Sequence, residues 1–211
     1  MRKGAAASSI LESPGHLCML GEAERRLVAR AQAGEQEAFR GLFDRYHRRL
    51  YNLAMYLLDS PELAAEATQE AFIKAWAGLG RLRDVGAFET WLYRITHNAV
   101  QDLRRRQRAR AEEETVAHDA PVLTQEADGD AAADPERALA RQAVSEAVRW
   151  AIGTLPEAQR APIVMFHLQG MEVRDIAQAL GVPEGTVLSR LARGREALRL
   201  RLAPYLAEGE V

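Results

Sequence analysis

Cysteine occurs once in 211 residues, at Cys18, so no internal disulfide and no multi-cysteine metal site organises this chain. That usage fits a reducing, intracellular setting. Aromatic residues make up only 6% of the sequence against 47% hydrophobic residues overall, which favours small helical units with Leu/Ala cores over an aromatic-rich β-sandwich. Long apolar runs are missing too: none approaches the roughly 18 residues that span a bilayer. The opening stretch MRKGAAASSILESPGHLCML has a basic start, but Glu12 and Pro14 break its apolar part too early for a signal peptide. Residues 1–21 read as a flexible tail, and Met19 is an alternative start. There is no GxxxxGK[ST] phosphate loop, no HExxH and no GxSxG, and the five histidines are scattered. The expectation is a protein without catalysis, cofactor or metal.

What is present is charge, strongly partitioned. The formal net charge is only -2, yet residues 1–110 hold 18 Lys/Arg against 13 Asp/Glu, and residues 111–140 hold 1 Arg against 9 Asp/Glu. Residues 141–211 are nearly balanced, with 9 Arg and 8 Asp/Glu. The acidic stretch contains Pro121, Gly129 and Pro135 and few large apolar residues. It cannot bury enough surface to offset its ordering entropy. It reads as a flexible acidic linker, either a solvated tether or a strip that imitates nucleic acid in a partner's basic channel.

Both flanks of that linker show helical periodicity. Phe39, Leu42, Phe43, Tyr46, Leu50, Leu53, Ala54 and Leu57 recur at three- and four-residue steps. Ser60-Pro61 makes a helix start, Leu63 to Leu79 continue the pattern, and Gly80 is the expected stop. After the linker, helix is expected over 136–152, with a restart that puts Thr154 or Leu155 near the cap and Pro156 in the first turn, a late start or bend at Pro162, and a short helix over 173–180. Gly181 then makes a turn, and Pro183 opens a last long helix. Convincing strand alternation is absent, so the fold class is all-α: two small helical domains at 22–110 and 141–211.

Two stretches carry functional chemistry. VRDIAQALGVPEGTVLSRLARGR, from Val173 to Arg195, is a helix-turn-helix pattern. Ala177 is small where helices cross, and Val187, Leu191 and Leu198 anchor the second helix. Glu184, Thr186, Ser189, Arg190 and Arg193 are left outward near its amino-terminal end, the end that enters a major groove in this motif. A helical hairpin with a solvated basic face is the bland alternative. FETWLYRITHNAVQDLRR, from Phe88, places Phe88, Leu92, Ile95, Ala99 and Leu103 on one core stripe. Arg94, His97, Gln101, Arg104 and Arg105 lie opposite, Trp91, Asn98 and Asp102 on one flank, and Tyr93 on the other. Cations for phosphates beside rings that stack on bases suit unpaired DNA. Core or rim packing is the alternative for the two aromatics, and a solubilising face for the arginines.

Taken with EATQEAFIKAW at Glu66–Trp76 and LPEAQR at Leu155–Arg160, these motifs resemble a bacterial RNA polymerase sigma factor of the extracytoplasmic-function group. The resemblance covers 22–110 and 144–202. It implies a sigma-2 helical bundle and a sigma-4 helix-turn-helix, with core RNA polymerase and promoter DNA as partners. It also implies an anti-sigma factor as inhibitor and a cytoplasmic location without membrane insertion. It assigns polymerase docking to Glu66, Gln69 and Glu70, and the -10 element to Trp91, Tyr93, Arg94, His97, Asn98, Gln101, Arg104 and Arg105. The -35 element falls to Glu184, Thr186, Ser189, Arg190 and Arg193. The sequence departs from the family pattern at Ala64-Ala65-Glu66, which lacks one acid, and at Leu188, where a basic residue is usual. Gly194 stands where Ala is common and is expected to weaken its helix by up to about 1 kcal/mol. A regulator that binds only duplex DNA is the rival reading.

Overall fold

The structure, a computed structural model, describes residues 21–113 and 145–207, with side chains over 21–110 and 145–203. The expected tail, apart from Gly21, and the linker beyond residue 113 lie outside the described residues. All regular structure among the described residues is helical.

The first unit comprises α1 (Glu22–Gln32), α2 (Gln36–Leu58), α3 (Pro61–Gly78), two 3-10 turns (Leu79–Arg81 and Val85–Ala87) and α4 (Phe88–Glu113). Asp59 closes α2 in the left-handed region at φ 54, a conformation that a short polar side chain tolerates. The Ser60 hydroxyl then accepts the Leu63 N–H at 3.3 Å and caps α3, with Pro61 in the first turn. Asp84 caps the second 3-10 turn by accepting the Gly86 N–H at 2.8 Å. Leu42, Tyr46, Leu50, Leu53 and Leu57 of α2 are buried against Phe88, Leu92, Ala99 and Leu103 of α4. The buried face of α3 carries Ala64, Ala67, Ala71 and Ala75. These side chains are small enough to let α3 lie close to both neighbours.

The second unit begins with a helix whose described part is 145–153 (α5). It continues with α6 (Glu157–Ile163), a π-helical turn (Val164–Leu168), α7 (Val173–Leu180) and α8 (Glu184–Ala207). Pro162 neither delays nor ends its helix. It has no N–H to give to residue 158, and the chain widens into the π turn directly after it, where the Gln169 N–H reaches the Val164 carbonyl at 3.1 Å. Gly170 and Gly181 take left-handed φ of 70 and 66 and end successive helices.

Three boundaries differ from the sequence expectation. Helix α4 continues to Glu113, three residues into the expected linker, because Ala111, Glu112 and Glu113 are good helix formers. Helix α3 stops at Gly78 and the chain passes into a 3-10 turn, so Gly80 is not a left-handed stop. A Cβ on Gly78 would lie 3.2 Å from Cζ2 of Trp91, so the small residue is where the next helix's ring needs room. Pro156 precedes the first turn of α6 instead of sitting in it.

Gly194 also reads differently in three dimensions. A Cβ there would lie 2.7 Å from Cγ1 of Ile163, a residue with no exposure at all. Glycine is the condition for α6 and α8 to touch. Gly194→Ala is therefore expected to destabilise the protein by about 1–3 kcal/mol through overpacking, despite the higher helix propensity of alanine. Urea unfolding midpoints of the two proteins check it; a gain in stability would refute the packing argument.

Candidate nucleic-acid interface

The inward stripe of α4 sets where its other residues point. Phe88, Leu92, Ala99 and Leu103 are buried, and Ile95 is half-buried. Arg94, Asn98 and Arg105 are consequently exposed. Arg105 turns back onto Asp102, which also lies 3.5 Å from Lys74 of α3. Trp91 is half-buried: its ring packs over Gly78 and tilts against Phe88, with centroids 6.0 Å apart.

The remaining α4 residues meet the second unit, because α7 packs along α4 and α6 against α2. Tyr93 lies at this seam with no exposure, and its hydroxyl donates to Oε1 of Gln169 at 2.9 Å. Arg49 of α2 pairs with Glu89 at 2.7 Å and donates to the Gln169 carbonyl at 3.0 Å. Its guanidinium stands 5.6 Å from the ring centroids of both Tyr46 and Tyr93. Burial pushes the Tyr93 hydroxyl well above the usual phenol range, so it stays protonated and donates. Burial likewise raises the Glu89 carboxyl, although Arg49 pulls against the shift.

A second cluster centres on Glu157, in the first turn of α6. Gln101 donates to its Oε1 at 2.7 Å, Arg104 forms an ion pair with its Oε2, and Arg108 stands 3.6 Å from the same oxygen. Burial works to raise the Glu157 carboxyl, but the Gln101 amide and the two guanidinium groups outweigh it and the net shift is downward. Arg104 also donates to the Leu57 carbonyl. His97 is half-buried beside Gln101, and burial lowers its pKa and favours the neutral ring.

In the helix-turn-helix, α7 buries Ile176 and Ala177, while Val187, Leu191 and Leu198 hold α8 to the core. Glu184, Ser189 and Arg193 are exposed, and Thr186 and Arg190 half-buried. The Ser189 hydroxyl donates to the Thr186 carbonyl at 2.9 Å. Thr186, Ser189, Arg190 and Arg193 fall on one side of α8 with Glu184 round the helix from them, and the pKa of His97 on α4 is lowered by burial and also by the charge of Arg190.

The polymerase candidates lie on α3. Glu66 and Gln69 are exposed and Glu70 half-buried; Glu70 pairs with Lys74 at 2.7 Å, and both acids lie 3.9 Å from Arg106. Gln69 also borders an open apolar groove between α2 and α3, lined by Phe39, Phe43, Phe72, Ile73 and Trp76. Ile73 is 62% exposed, Trp76 40% and Phe43 37%. Phe39 lies tilted against Trp76 with ring centroids 4.8 Å apart, and Phe43 against Phe72 at 4.7 Å, which fixes the groove's walls.

Sequence reasoning assigned no role to Arg49, Glu157, Gln169 or this groove. The first three meet α4 across separations of up to 76 residues, which local periodicity does not register. The groove had a weak signal: Phe43 lies about 100° round its helix from Leu42, and Trp76 from Ala75, at the edge of each apolar stripe.

No metal-holding cluster of His, Cys, Asp or Glu occurs among the described residues, and no described helix is long and apolar enough to cross a membrane.

Comparison with known proteins places these features in context. The family descriptions sigma-70 region 2 and sigma-70 region 4 match residues 42–110 and 145–198. The RNA polymerase sigma-H factor of Pseudomonas aeruginosa is 36% identical over 192 residues, 89% of this chain and 97% of that protein. The extracytoplasmic-function sigma factor SigM of Mycobacterium tuberculosis is 38% identical over 187 residues, 88% of this chain and 87% of its own length. Among solved structures, CnrH in complex with the cytosolic domain of CnrY superposes with a TM-score of 0.61 at 25% identity, covering 87% of this chain and 99% of CnrH. RpoE of Bartonella quintana, solved with the anti-sigma factor NepR, gives a TM-score of 0.64 at 21% identity over 78% of this chain and 96% of that one, a likeness of fold.

Proposed function

The chain belongs to the sigma-70 family of RNA polymerase sigma factors, in its extracytoplasmic-function group, and from that premise we propose how its two units divide promoter recognition. It is a transcription initiation factor that binds core RNA polymerase and directs it to promoters. The first unit docks on polymerase through Glu66, Gln69 and Glu70 with the neighbouring apolar groove. Helix α4 takes the -10 element as it opens. Its exposed Arg94 and Asn98 and half-buried Trp91 meet the strand first, and Tyr93, His97, Gln101, Arg104 and Arg105 complete the set. Helix α8 reads the -35 element as duplex through Thr186, Ser189, Arg190 and Arg193, with Glu184 at its entrance.

The observation that carries this reading is one chain holding both a basic, ring-bearing helix and a separate helix-turn-helix. A regulator of duplex DNA has use for the second alone. The protein works in the cytoplasm, without catalysis of its own. An inhibitory protein partner fits the same reading: CnrH, 25% identical, is seen in complex with part of another protein.

In vitro transcription with core polymerase and start-site mapping tests it. Starts that share two upstream elements are expected. Unchanged initiation, or failure to join core polymerase stoichiometrically, would favour the duplex-only regulator.

A further inference from the structure

We propose that Gln32, the last residue of α1, is a positioning residue for promoter opening: its amide holds the loop between α3 and α4 so that Arg81 and Arg83 meet phosphates of the strand that α4 takes. The proposal rests on α4 as the -10 reader and extends the contact surface to a loop and a helix outside it.

The geometry starts from one side chain. The Gln32 amide nitrogen donates to the Leu79 carbonyl at 3.1 Å and to the Leu82 carbonyl at 2.7 Å. That nitrogen carries two hydrogens, and both are spent here. The two carbonyls lie on either side of Gly80 and Arg81, so one group closes across the 3-10 turn that carries Arg81. The Leu82 carbonyl shares its peptide plane with the Arg83 N–H, so fixing it sets the direction in which Arg83 leaves the chain. Gln32 is itself anchored. Val28 and Ala31 are buried where α1 packs on α2, and Arg30 pairs with Glu35 at 2.7 Å across the turn that joins the two helices. Helix α1 also packs along both 3-10 turns of the loop.

The loop has an apolar underside, with Leu79 buried and Leu82 and Val85 half-buried. Its outer side is open: a Cβ on Gly80 would meet nothing within 4 Å. Arg81 and Arg83 are exposed there, and neither pairs with an acid among the described residues. Arg81 lies one 3-10 turn beyond Gly78, over which the Trp91 ring packs, and Ala87 leads directly into α4. Two unpaired cations therefore stand beside the amino-terminal end of the helix that presents Trp91 and Arg94. Guanidinium groups bordering a face with a stackable ring suit the backbone phosphates of a single strand. A loose loop must be ordered when the strand arrives, and that cost is subtracted from affinity. Gln32 orders the loop beforehand.

The test uses holoenzyme assembled from the full chain and core polymerase. The probe is a fork junction, duplex through the -35 element and single-stranded over the mapped -10 element. Gln32→Met keeps the side chain's length and neutrality and removes both donors. It should weaken fork binding about fivefold and lower the salt slope by about 0.7, the value of one phosphate on a single strand. A substitution that changes no charge moves that slope only through cations placed elsewhere. Arg81→Ala with Arg83→Ala should cost about tenfold and lower the slope by about 1.4. In that background Gln32→Met should cost nothing further. Equal losses from Gln32→Met in both backgrounds, or a loss with no change in slope, would make Gln32 a residue of fold stability alone and overturn the proposal. Unchanged fork binding by Gln32→Met overturns it as well. Unfolding midpoints and co-purification with core polymerase show that each variant is folded. The arginine pair, exposed on the surface, tests the loop even where Gln32→Met fails to fold, and unchanged affinity there overturns the proposal equally. Arg94→Ala with Asn98→Ala separates the two readings. Fork binding unchanged by that pair overturns α4 as the -10 reader, whereas a loss there beside no effect of Gln32→Met overturns the present proposal alone.

Discussion

Arg190→Ala combined with Arg193→Ala lowers affinity for the -35 duplex by about 100-fold or more, because a base-reading or phosphate-bound arginine contributes about 1–3 kcal/mol. The fold should survive the change. Helix α8 is held by Val187, Leu191, Leu198 and Leu202, all buried, whereas Arg193 is exposed and Arg190 half-buried. Fluorescence anisotropy over a salt series separates the two kinds of contact. Loss of a phosphate partner reduces the salt slope by about 1 per contact, and loss of a base partner relaxes specificity at one position. Unchanged affinity together with an unchanged slope would show that the basic side of α8 is only solvated surface.

Ile73→Asp is expected to weaken binding to core polymerase by about 30-fold or more, the effect of losing a central contact at an interface. Ile73 sits 62% exposed in an aromatic-walled groove, with the polar Gln69 at its border and the acids Glu66 and Glu70 on the same helix. An apolar centre ringed by polar groups is the arrangement that excludes water when a partner seats. Because Ile73 packs so little within the chain, thermal stability should change by no more than about 0.5 kcal/mol. Co-purification with core polymerase and unfolding of the isolated variant are the paired measurements. Normal polymerase binding would leave docking to the polar residues alone.

How much was legible beforehand follows from the range over which each signal acts. The inward stripe of α4, the left-handed Gly181, the Ser60-Pro61 start and the short α7 all depend on neighbours within about four residues. They are readable from spacing. Pro162 had a visible local effect, but its outcome, a π turn, depended on how Val164 and Met165 pack in a core that periodicity does not describe. The apparent weakness at Gly194 was a propensity argument that lacked Ile163, a residue brought beside it only by the crossing of α6 and α8.

The two aromatics of α4 show the division most clearly. Sequence alone determined that this protein is a pair of helical units, which helices carry its basic and hydrogen-bonding faces, and which family they resemble, because periodicity and motif spacing are properties of the chain. Only the tertiary structure decided that Trp91 lies over Gly78 at a half-open edge while Tyr93 is buried against Gln169 of the other unit. It also decided that Glu157 gathers Arg104 and Arg108 of α4. These are contacts between residues dozens of positions apart, made where two surfaces meet, and no local pattern encodes which surfaces those are.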